Sequence, residues 1–133
     1  MTEAQKKQAR SEARRAARLL RVFGLTVEEY EKILEHQGGV CAICEKPPKR
    51  KRLSVDHQHS SGQVRGALCA RCNRGLALFG DSRRKLRRAR EYLGNHPAVA
   101  ALGNPRWGLK GRTSNKASTI RKLNGRLSAR ERT

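Results

Sequence analysis

The four cysteines of the chain stand in two Cys-x-x-Cys pairs, Cys41 with Cys44 and Cys69 with Cys72, separated by 24 residues. Thiolates spaced in this way are common ligands of one tetrahedral Zn²⁺ ion, with Zn–S bonds of about 2.3 Å. The protein would then fill all four ligand positions and leave none for a substrate. We therefore predict a structural zinc site.

Two other kinds of cysteine site remain as alternatives. A redox dithiol uses a single Cys-x-x-Cys pair and leaves the second pair unexplained. An iron–sulfur cluster can use four cysteines, but no other feature of the sequence supports one. Zinc also suits the composition, because only 36% of residues are hydrophobic and 4% are aromatic. A core this small gains folding free energy from a bound metal.

The segment between the cysteine pairs contains residues suited to hydrolysis. It includes Val-Asp-His-Gln-His at 55–59, and Asn73 directly follows the last cysteine. The carboxylate of Asp56 is a hard oxygen ligand for Mg²⁺, and the amide of Asn73 offers a neutral oxygen. The imidazole of His57 can take a proton from water near neutral pH. A cation held by these two oxygen ligands keeps a positive charge that attracts a phosphodiester.

The predicted elements around these residues form a ββα unit. Residues 53–57 and 64–68 are predicted strands joined by a turn, and residues 70–79 are a predicted helix. In a regular strand the neighbours Asp56 and His57 would face opposite sides, so the strand has to end or twist there if both serve one site. The alternative is a zinc-stabilised fold in which Asp56, His57 and His59 only form hydrogen bonds within a loop.

The helices of the N-terminal part are predicted from apolar spacing and caps. Residues 24–39 form a helix in which Thr26 and Glu29 have capping-box spacing. Residues 3–22 form a basic helix that could lie against phosphates, or a frayed basic tail. Further helices are predicted at residues 82–93 and 117–128. The predicted apolar stripe of the first helix consists of Ala13, Ala16, Ala17 and Leu20.

The formal net charge of +20 is distributed over the whole chain, with +5 in residues 1–24, +7 in 25–102 and +8 in 103–133. Such a charge favours a polyanionic partner, above all nucleic acid, over a merely solvated basic surface. No run of 18 apolar residues is present, and the N-terminus lacks the apolar core of a signal peptide. We therefore expect an intracellular protein without a membrane partner, in a compartment where cysteines bind metal rather than form disulfides.

These motifs together resemble the phage recombination endonuclease VII family of HNH (ββα-metal) nucleases. The resemblance rests on both cysteine pairs, on residues 55–59, on the Gly-x-Val-Arg-Gly-x-Leu stretch at 62–68 and on Asn73. It implies an α+β fold, with a small zinc-stabilised ββα-metal core flanked by basic helices and a basic C-terminal arm. The implied boundaries are a basic N-terminal helix at 1–23, the endonuclease VII-like domain at 24–94 and a DNA-contacting arm at 95–133.

The resemblance also implies roles at the site. Asp56 and Asn73 would hold a catalytic Mg²⁺ or Mn²⁺, His57 would be the general base, and His59 would assist at the phosphate. The implied reaction is hydrolysis of a DNA phosphodiester that leaves 5′-phosphate and 3′-hydroxyl ends. The founding member has a metal-binding glutamate three residues beyond the asparagine, where this chain has Leu76. The metal site is therefore expected to be the smaller kind of single-site HNH nicking enzymes.

Basic residues near the motifs are candidates for phosphate contacts that position DNA without reading its sequence. The predicted DNA-binding residues are Lys49, Arg50, Lys51, Arg52, Arg65, Arg71 and Arg74. Expected partners are DNA, a possible second copy of the chain and other phage proteins of genome processing or packaging, in the cytoplasm of a bacterial host. The alternative function is a non-catalytic, zinc-stabilised nucleic-acid-binding protein.

Overall fold

A computed structural model describes residues 1–108, which fall into two compact units: one ends at Ser82 and the other begins at Arg83. The fold is mixed α+β, as predicted. The predicted helix at 117–128 and most of the predicted C-terminal arm lie outside the described residues. None of the described helices has the length and apolar character needed to cross a membrane.

The elements of the first unit are α1 (Glu3–Phe23), α2 (Val27–His36), β1 (Ser54–His57), β2 (Val64–Leu68) and α3 (Ala70–Leu78). Those of the second unit are α4 (Arg83–Gly94) and α5 (Pro97–Leu102).

The start of α2 is fixed by the predicted capping box. The Thr26 hydroxyl accepts a hydrogen bond from the Glu29 backbone N–H at 3.1 Å, and the Glu29 carboxylate accepts one from the Thr26 N–H at 2.8 Å. Both contacts satisfy backbone donors that a helix start leaves unpaired. Gly24 ends α1 in a left-handed conformation, with φ of 66°. The connection between α1 and α2 is therefore short, and its two ends are set by Gly24 and Thr26.

The core of the first unit consists of two small clusters of buried residues. One contains Leu19, Tyr30 and Val55. The other contains Cys41, Leu53, Ala67 and Leu68, with the remaining cysteines packed against it. The hydroxyl of Tyr30 joins the two, because it donates a hydrogen bond of 2.7 Å to the Leu53 carbonyl. Two clusters of this size agree with the small core expected from composition.

The apolar face of α1 differs from the predicted stripe. Leu20 is 59% exposed, whereas Leu19 is only 7% exposed and belongs to the core. Leu19 and Phe23 are one helical turn apart and both pack toward Tyr30 and Val55. The buried face of α1 is therefore the one that carries the larger side chains Leu19 and Phe23, and not the one that carries the alanines. Spacing predicts Leu86, Ala89 and Leu93 as the inward residues of α4, but Leu93 is 76% exposed.

The two strands form an antiparallel hairpin with an irregular register. Asp56 pairs with Gly66, but the next residue, His57, pairs with Val64. Arg65 is thus an extra residue in β2 with no partner opposite. An extra residue of this kind makes a β-bulge, which bends the strand and increases its twist. The predicted strands match the observed ones to within a residue, but the bulge was not predicted.

Candidate active site and metal centre

The sulfur atoms of Cys41, Cys44, Cys69 and Cys72 all lie within 4.8 Å of one another. The Sγ atoms of Cys44 and Cys69 are 3.9 Å apart. A tetrahedral ion with Zn–S bonds of about 2.3 Å places its sulfur ligands about 3.8 Å from one another. The two predicted cysteine pairs therefore form one cluster of the size that such an ion requires.

The electrostatics of the cluster favour a cation. Burial alone raises the pKa of Cys41, but the backbone N–H groups of Cys44, Cys69 and Ile43 outweigh this effect and lower the pKa to about 6. The N–H of Cys72 lowers the pKa of Cys69. Burial and the neighbouring sulfurs raise the pKa of Cys72 to about 12. Thiolates crowded in this way repel one another, and a thiophilic divalent cation would remove the repulsion.

The same cluster fixes the start of α3. Cys69 is the N-cap residue, and its Sγ accepts a hydrogen bond of 3.4 Å from the Cys72 backbone N–H. Asn73 lies one residue further along the helix. The direction of the Asn73 side chain is therefore tied to the geometry of the cysteine cluster.

Asp56, His57, His59 and Asn73 line one cavity of about 480 Å³. They come from the end of β1, the following turn and the first turn of α3. Asp56 and His57 both line this cavity, as do Ser54 and Val55 of the same strand. The register shift of the hairpin falls between Asp56 and His57, where β1 ends, and a bulge increases the local twist.

The imidazole of His57 lies between two other rings. The ring of Phe23, at the end of α1, approaches it edge-on with a centroid distance of 5.4 Å and an interplanar angle of 67°. The ring of His59 lies 4.8 Å away. Edge-to-face contacts of this kind restrict the orientation of the ring. Phe23 thus helps to hold His57 at the cavity.

The carboxylate of Asp56 is buried and forms a two-point ion pair with Arg65. Arg65 Nε donates to Asp56 Oδ2 at 2.6 Å, and Nη2 donates to Oδ1 at 2.9 Å. Nη2 also donates to Asp81 Oδ1 at 3.2 Å. These hydrogen bonds, first of all the one with Asp56, raise the pKa of Arg65. The contact of Arg65 with a phosphate stays a prediction; in the structure its guanidinium neutralises Asp56.

The other predicted DNA-binding residues have different surroundings. Arg52 lines the cavity with His57. The remaining ones are exposed and line neither this cavity nor the smaller one beside Arg65; they are Lys49, Arg50, Lys51, Arg71 and Arg74.

Sequence reasoning missed four residues at the site: Arg15, Arg18, Phe23 and Asp81. The spacing of Leu19 and Phe23 could have indicated the helix face that carries the first three of them. Asp81 lies in a turn and comes close to Arg65 only through the tertiary fold, so no local pattern predicts its place.

Known protein families include one that this chain matches. The family model described as recombination endonuclease VII matches residues 16–95, which is more than half of the chain. The chain belongs to the recombination endonuclease VII family. Within this family, the match includes both cysteine pairs, the hairpin and α3. It begins inside α1, so most of that helix precedes the matched region.

Two relatives of this chain come from mycobacteriophages. The chain is 48% identical over 99 residues to the Gene 59 protein of Mycobacterium phage D29, covering 73% of this chain and 60% of that protein. It is 47% identical over 97 residues to the Gene 59 protein of Mycobacterium phage L5, covering 71% and 59%. The chain thus spans about three fifths of the length of these relatives. No solved structure gave a significant match.

Proposed function

We propose that this protein is a metal-dependent DNA endonuclease that hydrolyses a phosphodiester bond at the cavity lined by Asp56, His57, His59 and Asn73. The observation that carries the proposal is that Asp56, His57, His59 and Asn73, which come from three different parts of the chain, all line one cavity. A loop or strand that only stabilised a zinc fold would not need this arrangement. Membership of the recombination endonuclease VII family supports the same activity.

The donor set fits a divalent cation at Asp56 and Asn73. A carboxylate and an amide oxygen are hard ligands, and two protein ligands leave the other positions to water and phosphate oxygens. When bound there, Mg²⁺ or Mn²⁺ would stabilise negative charge on the leaving 3′ oxygen. Arg65 already donates one hydrogen bond to each oxygen of Asp56, so the cation would share this carboxylate with the guanidinium through the remaining lone pairs.

In the proposed reaction, His57 acts as the general base. Its neutral imidazole accepts a proton from a water molecule, which then attacks the phosphorus. Phe23 restricts the orientation of the imidazole before the substrate arrives. His59, whose ring lies beside that of His57, assists at the phosphate. The products carry 5′-phosphate and 3′-hydroxyl ends.

The cysteine cluster is proposed to hold a structural Zn²⁺. Four thiolates complete a tetrahedral set, so no ligand position is left for a water or a substrate. The ion would act on catalysis only by fixing α3 and thus Asn73. Since the relatives come from phages, a nuclease of this kind would suit genome processing or packaging in a bacterial host.

The test is a supercoiled-plasmid assay with wild type, Asp56→Asn and Glu35→Gln, each with and without Mg²⁺. We expect wild type to nick only with Mg²⁺, and Asp56→Asn to nick about 100-fold more slowly or worse, because the cation loses its charged ligand. Binding of Mn²⁺, measured by electron paramagnetic resonance, should weaken in parallel. Glu35 is an exposed acid of α2 outside the cavity, so Glu35→Gln should resemble wild type in both measurements.

The plasmid products also test the alternative function. A non-catalytic nucleic-acid-binding protein would bind the plasmid and produce no breaks that depend on Mg²⁺. One ββα unit contains one active site, so a single copy should only nick. Linear product that appears together with the nicks would point to a homodimer.

A further inference from the structure

We infer that α1 forms one wall of the DNA-binding cleft and that Arg18 binds a backbone phosphate next to the one that is cleaved. The inference rests on the proposed function and deepens it, because it assigns the strand-binding side of the same cavity. Arg15, Arg18, Leu19 and Phe23 of α1 all line that cavity, opposite the residues of β1.

The C-terminal half of α1 is held firmly against the site. Leu19 is buried with Tyr30 and Val55, and Val55 directly precedes Asp56 in β1. Phe23 contacts the ring of His57. The contacts of Leu19 with Val55 and of Phe23 with His57 therefore fix the distance between this part of α1 and the candidate base. A side chain of α1 that lines the cavity has a defined place relative to His57.

Arg15 serves to attach the helix. Its guanidinium lies over the ring of Tyr30, 4.8 Å from the centroid, and Nη2 is 3.6 Å from a carboxylate oxygen of Glu31. Only 22% of the side chain is exposed. Its Nη2 has no hydrogen-bond partner among the described residues, but this atom is buried. The exposed cation of α1 that lines the cavity, and that a backbone phosphate can therefore reach, is Arg18.

Arg18 has the properties that a phosphate contact requires. It lines the cavity and is exposed, and no carboxylate within residues 1–108 forms an ion pair with it. Arg52, just before the buried Leu53 that leads into β1, is likewise exposed and lines the same cavity. The two side chains therefore border the cavity from different parts of the chain, and a guanidinium is well suited to bind a phosphate.

The charge balance of the cavity favours a phosphodiester chain. The carboxylate of Asp56 is neutralised by Arg65, so Arg18 and Arg52 give the cavity a positive potential. The cavity also contains the proposed base, so the strand bound there is the one to be cut. Arg18 and Arg52 would contact backbone phosphates, which position the strand without selecting its sequence.

The experiment measures binding apart from cleavage. Zinc-loaded full-length protein is titrated against a fluorescent DNA duplex without added divalent cation, over a series of salt concentrations. Arg18→Ala should raise the Kd for the duplex about tenfold. The negative slope of log association constant against log salt should become shallower by about 0.9, because one phosphate contact is lost. Arg18→Lys should recover the slope, since it retains the charge.

The matched control is Arg10→Ala. Arg10 has the same charge on the same helix, but it lies about 12 Å further along the axis and outside the cavity. The Kd of Arg10→Ala for the duplex should stay within about twofold of the wild-type value, because a screened charge at that distance from the cavity contributes little to the binding of DNA there. Circular dichroism should be the same for all variants, as both arginines are exposed.

The outcomes separate this inference from the proposed function. If Arg18→Ala binds like wild type, α1 is not a wall of the cleft, even if the protein nicks DNA. If Arg10→Ala loses as much affinity, DNA is attracted by the charge of the whole helix and the assignment of a phosphate contact to Arg18 at the cavity is wrong. If only Arg18→Ala loses affinity and wild type never nicks, the cleft assignment stands and the nuclease proposal fails. In Mg²⁺, Arg18→Ala of an active nuclease should raise KM and keep kcat within about twofold, because the lost contact acts on binding.

Discussion

Replacement of His57 by alanine is expected to reduce plasmid nicking in Mg²⁺ by about 100- to 10,000-fold, the usual contribution of a general base. The fold should survive, because His57 is the last residue of β1 and its ring contacts are those with Phe23 and His59. The cysteine cluster does not involve it. Nicking rates, zinc content and circular dichroism of purified wild type and His57→Ala would measure all three properties.

Two further measurements make the assignment of the base specific. His36→Ala, which changes an exposed histidine of α2 outside the cavity, should nick at the wild-type rate. Free imidazole added to His57→Ala should recover part of the activity, because a small base can enter the space left by the ring. If His57→Ala cuts DNA as fast as wild type, another group is the base.

Loss of the metal at the cysteine cluster is expected to unfold the first unit. Its two buried clusters are small. Cys41 belongs to one of these clusters, and the other three cysteines pack against that cluster. Zinc binding contributes about 10–16 kcal/mol in small zinc domains, which is comparable to the entire stability of an ordinary domain. Cys72→Ser or a strong chelator should therefore abolish the cooperative thermal transition that circular dichroism detects.

Metal analysis would check this prediction and the identity of the ion together. We expect one zinc per chain in wild type and none in Cys72→Ser, with no absorbance in the visible range where iron–sulfur clusters absorb. Addition of Zn²⁺ after removal of the chelator should restore the thermal transition of wild type. A metal-free wild type that melts like the loaded protein would show that the cluster is not structural.

The sequence predicts well those features that depend on local spacing. The Cys-x-x-Cys spacing within each pair and the Thr26–Glu29 capping box each involve residues only a few positions apart, whereas the approach of the two pairs to each other depends on the fold. Spacing was less reliable for α1, where an alanine stripe and the Leu19–Phe23 pair indicate different faces. Tertiary packing against Tyr30 decides between the two, because leucine and phenylalanine bury more apolar area than alanine.

Features of the candidate site that depend on tertiary structure could not be predicted in this way. The pairing of Asp56 with Arg65 exists because β2 has one extra residue, and no local pattern of residues 64–68 requires it. The same holds for Asp81, which meets Arg65 across sixteen positions of sequence. The sequence indicated which side chains could do chemistry, but their mutual distances depend on register and packing.

The bulge has a consequence for how genes of this family change. Deletion of the single codon for Arg65 would let Asp56–Gly66 and His57–Val64 pair in an uninterrupted ladder. The ladder would become regular, but the buried carboxylate of Asp56 would lose its guanidinium partner. The extra residue of β2 therefore stabilises a buried charge at the expense of a regular ladder. Homologues that have lost this codon are expected to be less stable unless they also carry an uncharged residue in place of Asp56.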